Sequence, residues 1–161
     1  MSSLAEHLDD EQALVRYHLC TALVLIGCDA PETLAGARDA LAARLTDENA
    51  YVRGRAAEAL GLFTRSETTD SMLPESELVT VADGEESFAA ERARFALDAT
   101  GEGDASRDAA DGIGTVGSVR GTTQGIIEDI TAPGANNECP HCGFTLPESG
   151  PPMCPRCGAP Y

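Results

Sequence analysis

Leu45-Thr-Asp-Glu-Asn-Ala-Tyr-Val-Arg-Gly-Arg-Ala-Ala-Glu-Ala-Leu-Gly-Leu-Phe63 is the stretch on which the fold turns. Val52, Ala56, Ala59, Leu60 and Phe63 recur at i, i+4, i+7, i+8 and i+11, which sets them on one stripe of a 3.6-residue helix. Thr46 or Asp47 is placed to cap its start by accepting unpaired N–H groups, and Glu48 follows at the positive end of the helix dipole. One helix with one apolar stripe cannot bury that stripe alone, so the chain must supply partners.

It does so by repetition. Moving back 37 positions, Asp10, Glu11, Ala13, Val15, Arg16, Ala22, Leu23 and Leu25 repeat Asp47, Glu48, Ala50, Val52, Arg53, Ala59, Leu60 and Leu62. Leu4, Ala5 and Leu8 likewise repeat Leu41, Ala42 and Leu45. Moving forward by the same interval gives a degenerate third copy, in which Leu78, Ala89, Ala93, Ala96 and Leu97 fall on Leu41, Val52, Ala56, Ala59 and Leu60. There Asp83 meets the register of Asp47 only after a one-residue shift, and Ala90 stands in the place of Arg53.

These residues resemble the HEAT-repeat family over residues 1–99, most specifically in the middle unit. The resemblance implies paired antiparallel helices, and a polar ladder between neighbouring units in which turn Asp and helical Arg take part, here Asp10, Asp47, Arg16 and Arg53. The missing third Arg leaves the C-terminal end of that ladder open. The alternative is an Ala-rich helical bundle without true repeats. The fold expected is all-α: a short solenoid of about three helical hairpins. Three is the fewest that usually gives a stable stack, so either the acidic surface in high salt supports it or a partner or a second copy covers a solenoid end.

Composition sets the surroundings. The formal charge is −16, from 27 acidic and 11 basic residues, and every basic residue is Arg. Acidity without any Lys looks like a protein from a halophile with a salt-rich cytoplasm, where a Debye length near 3 Å at about 1 M salt silences self-repulsion. The opening Met-Ser-Ser-Leu-Ala-Glu carries no basic residue ahead of an apolar run and does not read as a signal peptide, and Leu19–Gly27 is too short to cross a bilayer. The expected location is the cytoplasm, without a membrane.

Along the chain, Ser3 with Glu6 reads as a capping box for a first helix over residues 3–8. A second helix follows from Glu11 to Gly27, with Val15, Leu19, Ala22, Leu23 and Ile26 inward, and Cys20 and Cys28 read as small buried apolar residues. Pro31 opens the next helix, with Leu34, Leu41 and Leu45 buried and Gly36 a weak point. Gly61 and the polar stretch from Thr64 to Ser71 close the second unit, and Pro74 starts a third pair over residues 75–82 and 86–98, filled by Phe88 and Phe95.

Residues 100–137 change texture to Gly, Asp, Ala, Thr and Ser and read as a flexible acidic linker. Within it Gly112-Ile-Gly-Thr-Val-Gly117 matches GxGxxG, yet lacks a preceding strand and a following helix, so it reads as coincidence. Gly125-Ile-Ile-Glu-Asp-Ile130 is the tether's one clustered apolar patch, readable either as a local turn or as a docking motif.

The C-terminal residues 138–161 carry Cys139-Pro-His-Cys142-Gly143 and Cys154-Pro-Arg-Cys157-Gly158, two CxxC pairs separated by eleven residues. Four thiolates at this spacing suit one tetrahedral Zn²⁺, and each Gly supplies a turn that a Cβ would obstruct. The unit resembles a zinc ribbon, with a hairpin over residues 143–153, Phe144, Leu146 and Met153 as its apolar cover and residues 147–150 as the turn. A complete Cys139, Cys142, Cys154 and Cys157 set leaves no open coordination position, so the one ion expected is structural, and His141 is left as a side chain off the metal.

No constellation points to catalysis: His7, His18 and His141 are scattered and no nucleophile sits in a recognisable setting. The reading is a non-catalytic adaptor for protein partners, combining a solenoid surface with a tethered ribbon. The alternative is a transcription- or nucleic-acid-associated protein acting through the ribbon. Direct contact with nucleic acid is disfavoured, because Arg156 is the ribbon's one fixed cation and four thiolates on Zn²⁺ leave −2 at the site.

Overall fold

The computed structural model of the chain describes residues 2–66, 73–99, 112–132, 138–139, 142–147 and 153–159. Helices α1 (Ser2–Ala5) and α2 (Ala13–Asp29) form the first pair. The second sets a 3-10 turn (Pro31–Ala37), α3 (Arg38–Ala43) and a further 3-10 turn (Arg44–Thr46) against α4 (Ala50–Ser66). The third is α5 (Glu75–Ala82) with α6 (Ser87–Asp98), and α7 (Val116–Thr131) follows. The longer helix of the middle pair, α4, lies between α2 and α6 and packs on both. The described residues form a HEAT-like helical stack with a small cysteine unit at the C-terminus, as the repeat implies. The proposed capping of α1 by Ser3 lies outside the described side chains.

The repeat is visible atom by atom. The carboxylate of Asp10 accepts the Gln12 N–H at 2.8 Å, and that of Asp47 accepts the Asn49 N–H at 3.0 Å. One turn on, Arg16 donates to the carbonyls of Asp10 and Glu11, and Arg53 donates to those of Asp47 and Glu48. Arg16 also crosses to the next unit and pairs with Asp47, while Arg53 crosses to Glu86 at 3.2 Å. The ladder therefore continues into the third unit, with Glu86 and not Asp83 as the carboxylate. Asp47 does not cap α4 itself: Asn49 Oδ1 accepts the N–H groups of Tyr51 and Val52, and Asp47 fixes Asn49.

Glycines expected to end helices instead lie inside them. Gly27 is within α2, and a Cβ there would come within 2.7 Å of Leu34 Cδ1. Gly61 is within α4, which runs on to Ser66. Gly54 and Gly61, seven apart on α4, receive Phe88 and Phe95, seven apart on α6; a Cβ on either glycine would meet the ring at 2.7–2.8 Å. Two missing side chains thus let α6 approach closely, and the aromatics fill the space. The inward face of α2 is also rotated from the expected one: Leu23 is buried as expected, together with Tyr17, Cys20, Val24 and Gly27, while Val15, Leu19, Ala22 and Ile26 are half-buried. A helix that is apolar almost all round does not fix its own phase.

The largest correction falls in the linker. Residues 116–131 are helix α7, packed on α2, and Val119, Ile126 and Ile130 belong to the same core as the solenoid. The inward positions are 119, 122, 123, 126, 127 and 130, a regular helical stripe whose second and third members are Thr. Those two hydroxyls, with Gly117, Gly121 and Gly125 on the outer face, hide the period from a reading by hydropathy. GxGxxG is therefore followed by a helix after all, and its glycine at position 114 has a packing reason. Gly114 has φ of +83° and sits where a Cβ would come within 2.6 Å of Phe95.

Candidate functional site

The two C-terminal cysteine corners are copies of each other. In the first, Cys139 N–H donates to the Phe144 carbonyl at 2.8 Å and Gly143 N–H to the Cys139 carbonyl at 2.9 Å. In the second, Cys154 N–H donates to Ala159 at 2.7 Å and Gly158 N–H to Cys154 at 2.8 Å. Gly143 and Gly158 take φ values of +66° and +74°, the left-handed conformation required of them. The described strand pairing is a single antiparallel bridge between Glu138 and Thr145. Leu146 is buried beneath the cysteines, but Phe144 and Met153, expected as cover, are 38% and 52% exposed. His141 and residues 148–150 of the expected turn lie outside the described residues.

The corners bring the sulfurs of Cys139, Cys142, Cys154 and Cys157 within 4.8 Å of one another. Cys139 to Cys157 is 3.7 Å and Cys142 to Cys154 is 3.6 Å. A regular tetrahedron with such edges has its centre about 2.2–2.3 Å from each sulfur, close to a Zn–S bond. The group can hold a metal ion, and the thiols favour a cation. Desolvation opposes ionisation of Cys154, but N–H groups of Cys157 and Arg156 and the neighbouring thiols outweigh it and bring its pKa down to about 6. Cys142 is pushed up to about 12: an N–H from Phe144 works the other way, and burial together with Cys157, Cys154 and Cys139 prevails. Charge placed on one sulfur is thus resisted by the next unless a cation lies among them.

A second polar assembly was not foreseen. Arg55 and Glu58 on α4 have no side-chain exposure, and both Arg55 NH1, at 2.8 Å, and Arg92 Nε of α6, at 3.0 Å, donate to Glu58 Oε2. Glu58 Oε1 accepts the Gly114 N–H at 2.9 Å, just before α7. Arg55 NH2 donates to Thr122 Oγ1 at 2.7 Å, to the Val119 carbonyl at 3.4 Å and to the Tyr17 hydroxyl at 3.3 Å. Phe88 lies under both guanidinium groups, 5.3 Å from that of Arg55 and 3.5 Å from that of Arg92. Burial pulls the Arg92 pKa below its ordinary value, against the pull of Glu58. At the rim, Tyr51 donates its hydroxyl to Asp129 of α7, and Cys28 its thiol to the Gly114 carbonyl. Arg55, Glu58 and Arg92 were legible only as members of an Ala-rich helical pattern, and Thr122 only as linker.

Cys20 is buried and its thiol pKa is pushed up to about 12 by desolvation; Cys28 is raised for the same reason. Cys20 sits in the core as the small apolar residue expected, whereas Cys28 is half-buried and donates its thiol to the Gly114 carbonyl. No helix among the described residues is long and apolar enough to cross a membrane.

A family model of HEAT repeats matches residues 1–76, the first two helical pairs and the start of α5. No curated protein and no solved structure matches the chain.

Proposed function

We propose that this protein is a non-catalytic adaptor that holds protein partners through its HEAT-like surface and a C-terminal unit built on one structural Zn²⁺. The observation that carries the reading is the closed thiol set. Four sulfurs gathered within 4.8 Å would fill a tetrahedral zinc ion, which suits a fold-determining metal without an open position. The matching HEAT repeats supply the other half, because stacked helical pairs build extended surfaces suited to partners. Phe144 and Met153, exposed on so small a unit, give it an apolar contact of its own.

The nucleic-acid alternative survives only in an indirect form, through a protein of such machinery. Arg156 turns its NH1 toward the Cys142 carbonyl at 3.5 Å, which does not leave a cluster of cations for phosphate. The acidic, Lys-free composition supports a salt-rich cytoplasm as the working medium. The test is crosslinking and mass spectrometry of the full chain at multimolar KCl, beside a Cys157→Ser variant. A partner held in fixed proportion, and weakened in the variant, supports the adaptor. Recovery of the chain alone at every salt concentration rejects it. A melting midpoint unchanged between dilute buffer and multimolar KCl rejects the salt adaptation.

A further inference from the structure

Helix α7 is seated on α2 and is tied to α4 through side chains. Its contact sets Val119, Ile126 and Ile130 in the core beside polar groups that run from its N-terminal end to its rim. Arg55 reaches Thr122 and the Val119 carbonyl, Glu58 reaches the Gly114 N–H, and Tyr51 reaches Asp129. Each of these groups has a partner in water if α7 departs, which an apolar core lacks. A mixed contact of this kind is the composition of a surface that binds and releases, not of an obligate interior. The helix is also a poor one by itself: Gly117, Gly121 and Gly125 and its Thr and Ser residues all disfavour helix in isolation, and its buried side chains are Val119, Ile126 and Ile130. Finally, residues 100–115 join α7 to the stack and keep it at high effective concentration there, so a weak contact suffices to hold it.

We propose that the α2–α4 face is a receptor for an amphipathic helix, that α7 is its resident occupant in cis, and that a partner helix of the same pattern replaces it. That pattern is read from α7: aliphatic residues at the places of Val119, Ile126 and Ile130, a side-chain acceptor at that of Thr122 to meet Arg55, and an acidic residue at that of Asp129 to meet Tyr51. The inference deepens the adaptor reading and rests on it for its biological use, but its physical content does not depend on any partner having been found.

The test uses the full chain carrying Ile126→Glu and Ile130→Glu, which unseats α7 without altering the face beneath, and a fluorescein-labelled peptide of residues 112–132 as probe. In concentrated KCl the peptide should bind the variant saturably, at least tenfold more tightly than it binds the unaltered chain, where α7 competes. A peptide carrying the same two Glu substitutions should not bind. Absence of saturable binding to a variant that still melts cooperatively overturns the proposal. So does a variant that no longer folds, because α7 is then core. Hydrogen exchange on the unaltered chain decides independently: α7 amides exchanging at least tenfold faster than those of α4 support displacement, and equal protection refutes it. Failure to recover any partner would defeat the adaptor reading while leaving these measurements intact.

Discussion

Arg16 of α2 holds Asp47 of the next unit in a two-pronged pair, Nε to Oδ2 at 2.8 Å and NH2 to Oδ1 at 2.9 Å, with both side chains nearly shut off from water. The same carboxylate fixes the Asn49 N–H, and Asn49 caps α4, so one Asp joins the packing of two units to the start of the helix between them. Hydrogen bonding to Asp47 raises the Arg16 pKa further above its already high value. Asp47→Asn keeps an acceptor for Asn49 and removes the charge. Arg16 retains the Asp10 and Glu11 carbonyls and Glu48, so the loss should be about 2 kcal/mol, not the larger cost of a stranded cation. Urea unfolding should show this as a lower midpoint at unchanged slope.

Gly61→Ala should destabilise although Ala is the better helix former. The new methyl would meet the Phe95 ring at 2.8 Å and the Ala96 Cα at 2.9 Å, and a backbone atom cannot swing aside. Overpacking of this kind costs about 1–3 kcal/mol against a propensity gain of up to about 1 kcal/mol. At Gly36 a Cβ meets open space, so Gly36→Ala should be neutral or stabilising. Thermal midpoints moving in opposite directions would establish the contrast.

The repeat itself was readable because Asp, Val and Arg recur at one interval, and their interactions recur with them. Leu34, Leu41 and Leu45 are legible as the buried stripe because they are the only large aliphatic side chains in a run of Ala, Gly, Arg and Asp. Where the period was obscured, reading failed. Apolar residues on nearly every side of α2 leave its phase undetermined, and half-buried Thr122 and Thr123 in the inward stripe of α7 give that helix the texture of a tether. The polar core of Arg55, Glu58 and Arg92 left no signal either, since charges four or fewer residues apart on a helix usually mark a solvated face. The gathering of the four cysteines was legible, because the CxxC spacing and the glycine after each pair set the local turns, whereas the exposure of Phe144 and Met153 was not.

Tyr51 links α7 to α4 through pH. Its hydrogen bond to Asp129, with lesser help from burial, raises the phenol from 10 to about 12. A group whose folded-state pKa is raised contributes stability that is fully present below its unfolded pKa and is lost as the pH rises through the folded one. The contribution of this contact should therefore be intact below pH 10 and disappear between pH 10 and 12. Tyr51→Phe should lose stability at neutral pH and show a shallower decline across that window than the unaltered chain. Parallel declines would show that the bond does not couple to the stability of the helical stack.

Removal of metal should separate the two parts of the molecule. For zinc, binding contributes on the order of 10 kcal/mol to small modules of this type, more than Leu146 and one strand bridge can supply. A strong chelator, or Cys157→Ser, should collapse the dispersed nuclear magnetic resonances of residues 138–159 while far-ultraviolet circular dichroism keeps its helical signal. Loss of the helical signal at the same chelator concentration would show one cooperative unit.

Glu58→Gln should be the most damaging of these changes. Glu58 Oε2 is the shared acceptor of two guanidinium groups, and the side chain is sealed from solvent. Gln can still offer an oxygen to the Gly114 N–H, but it would turn an amide donor toward Arg55 and Arg92 and leave two buried cations without a counter-charge. Breaking a buried pair from one side costs about 3–5 kcal/mol, and here the same carboxylate serves two partners. Arg92→Leu removes one of the cations and leaves the Phe88 ring covered by an apolar side chain. Combined with Glu58→Gln, it should therefore destabilise by less than the sum of the two single changes, with a coupling of at least about 1 kcal/mol in a double-mutant cycle. Simple additivity would mean that the charges are already hydrated, and that Glu58 contributes to the fold only through its bond to the loop ahead of α7.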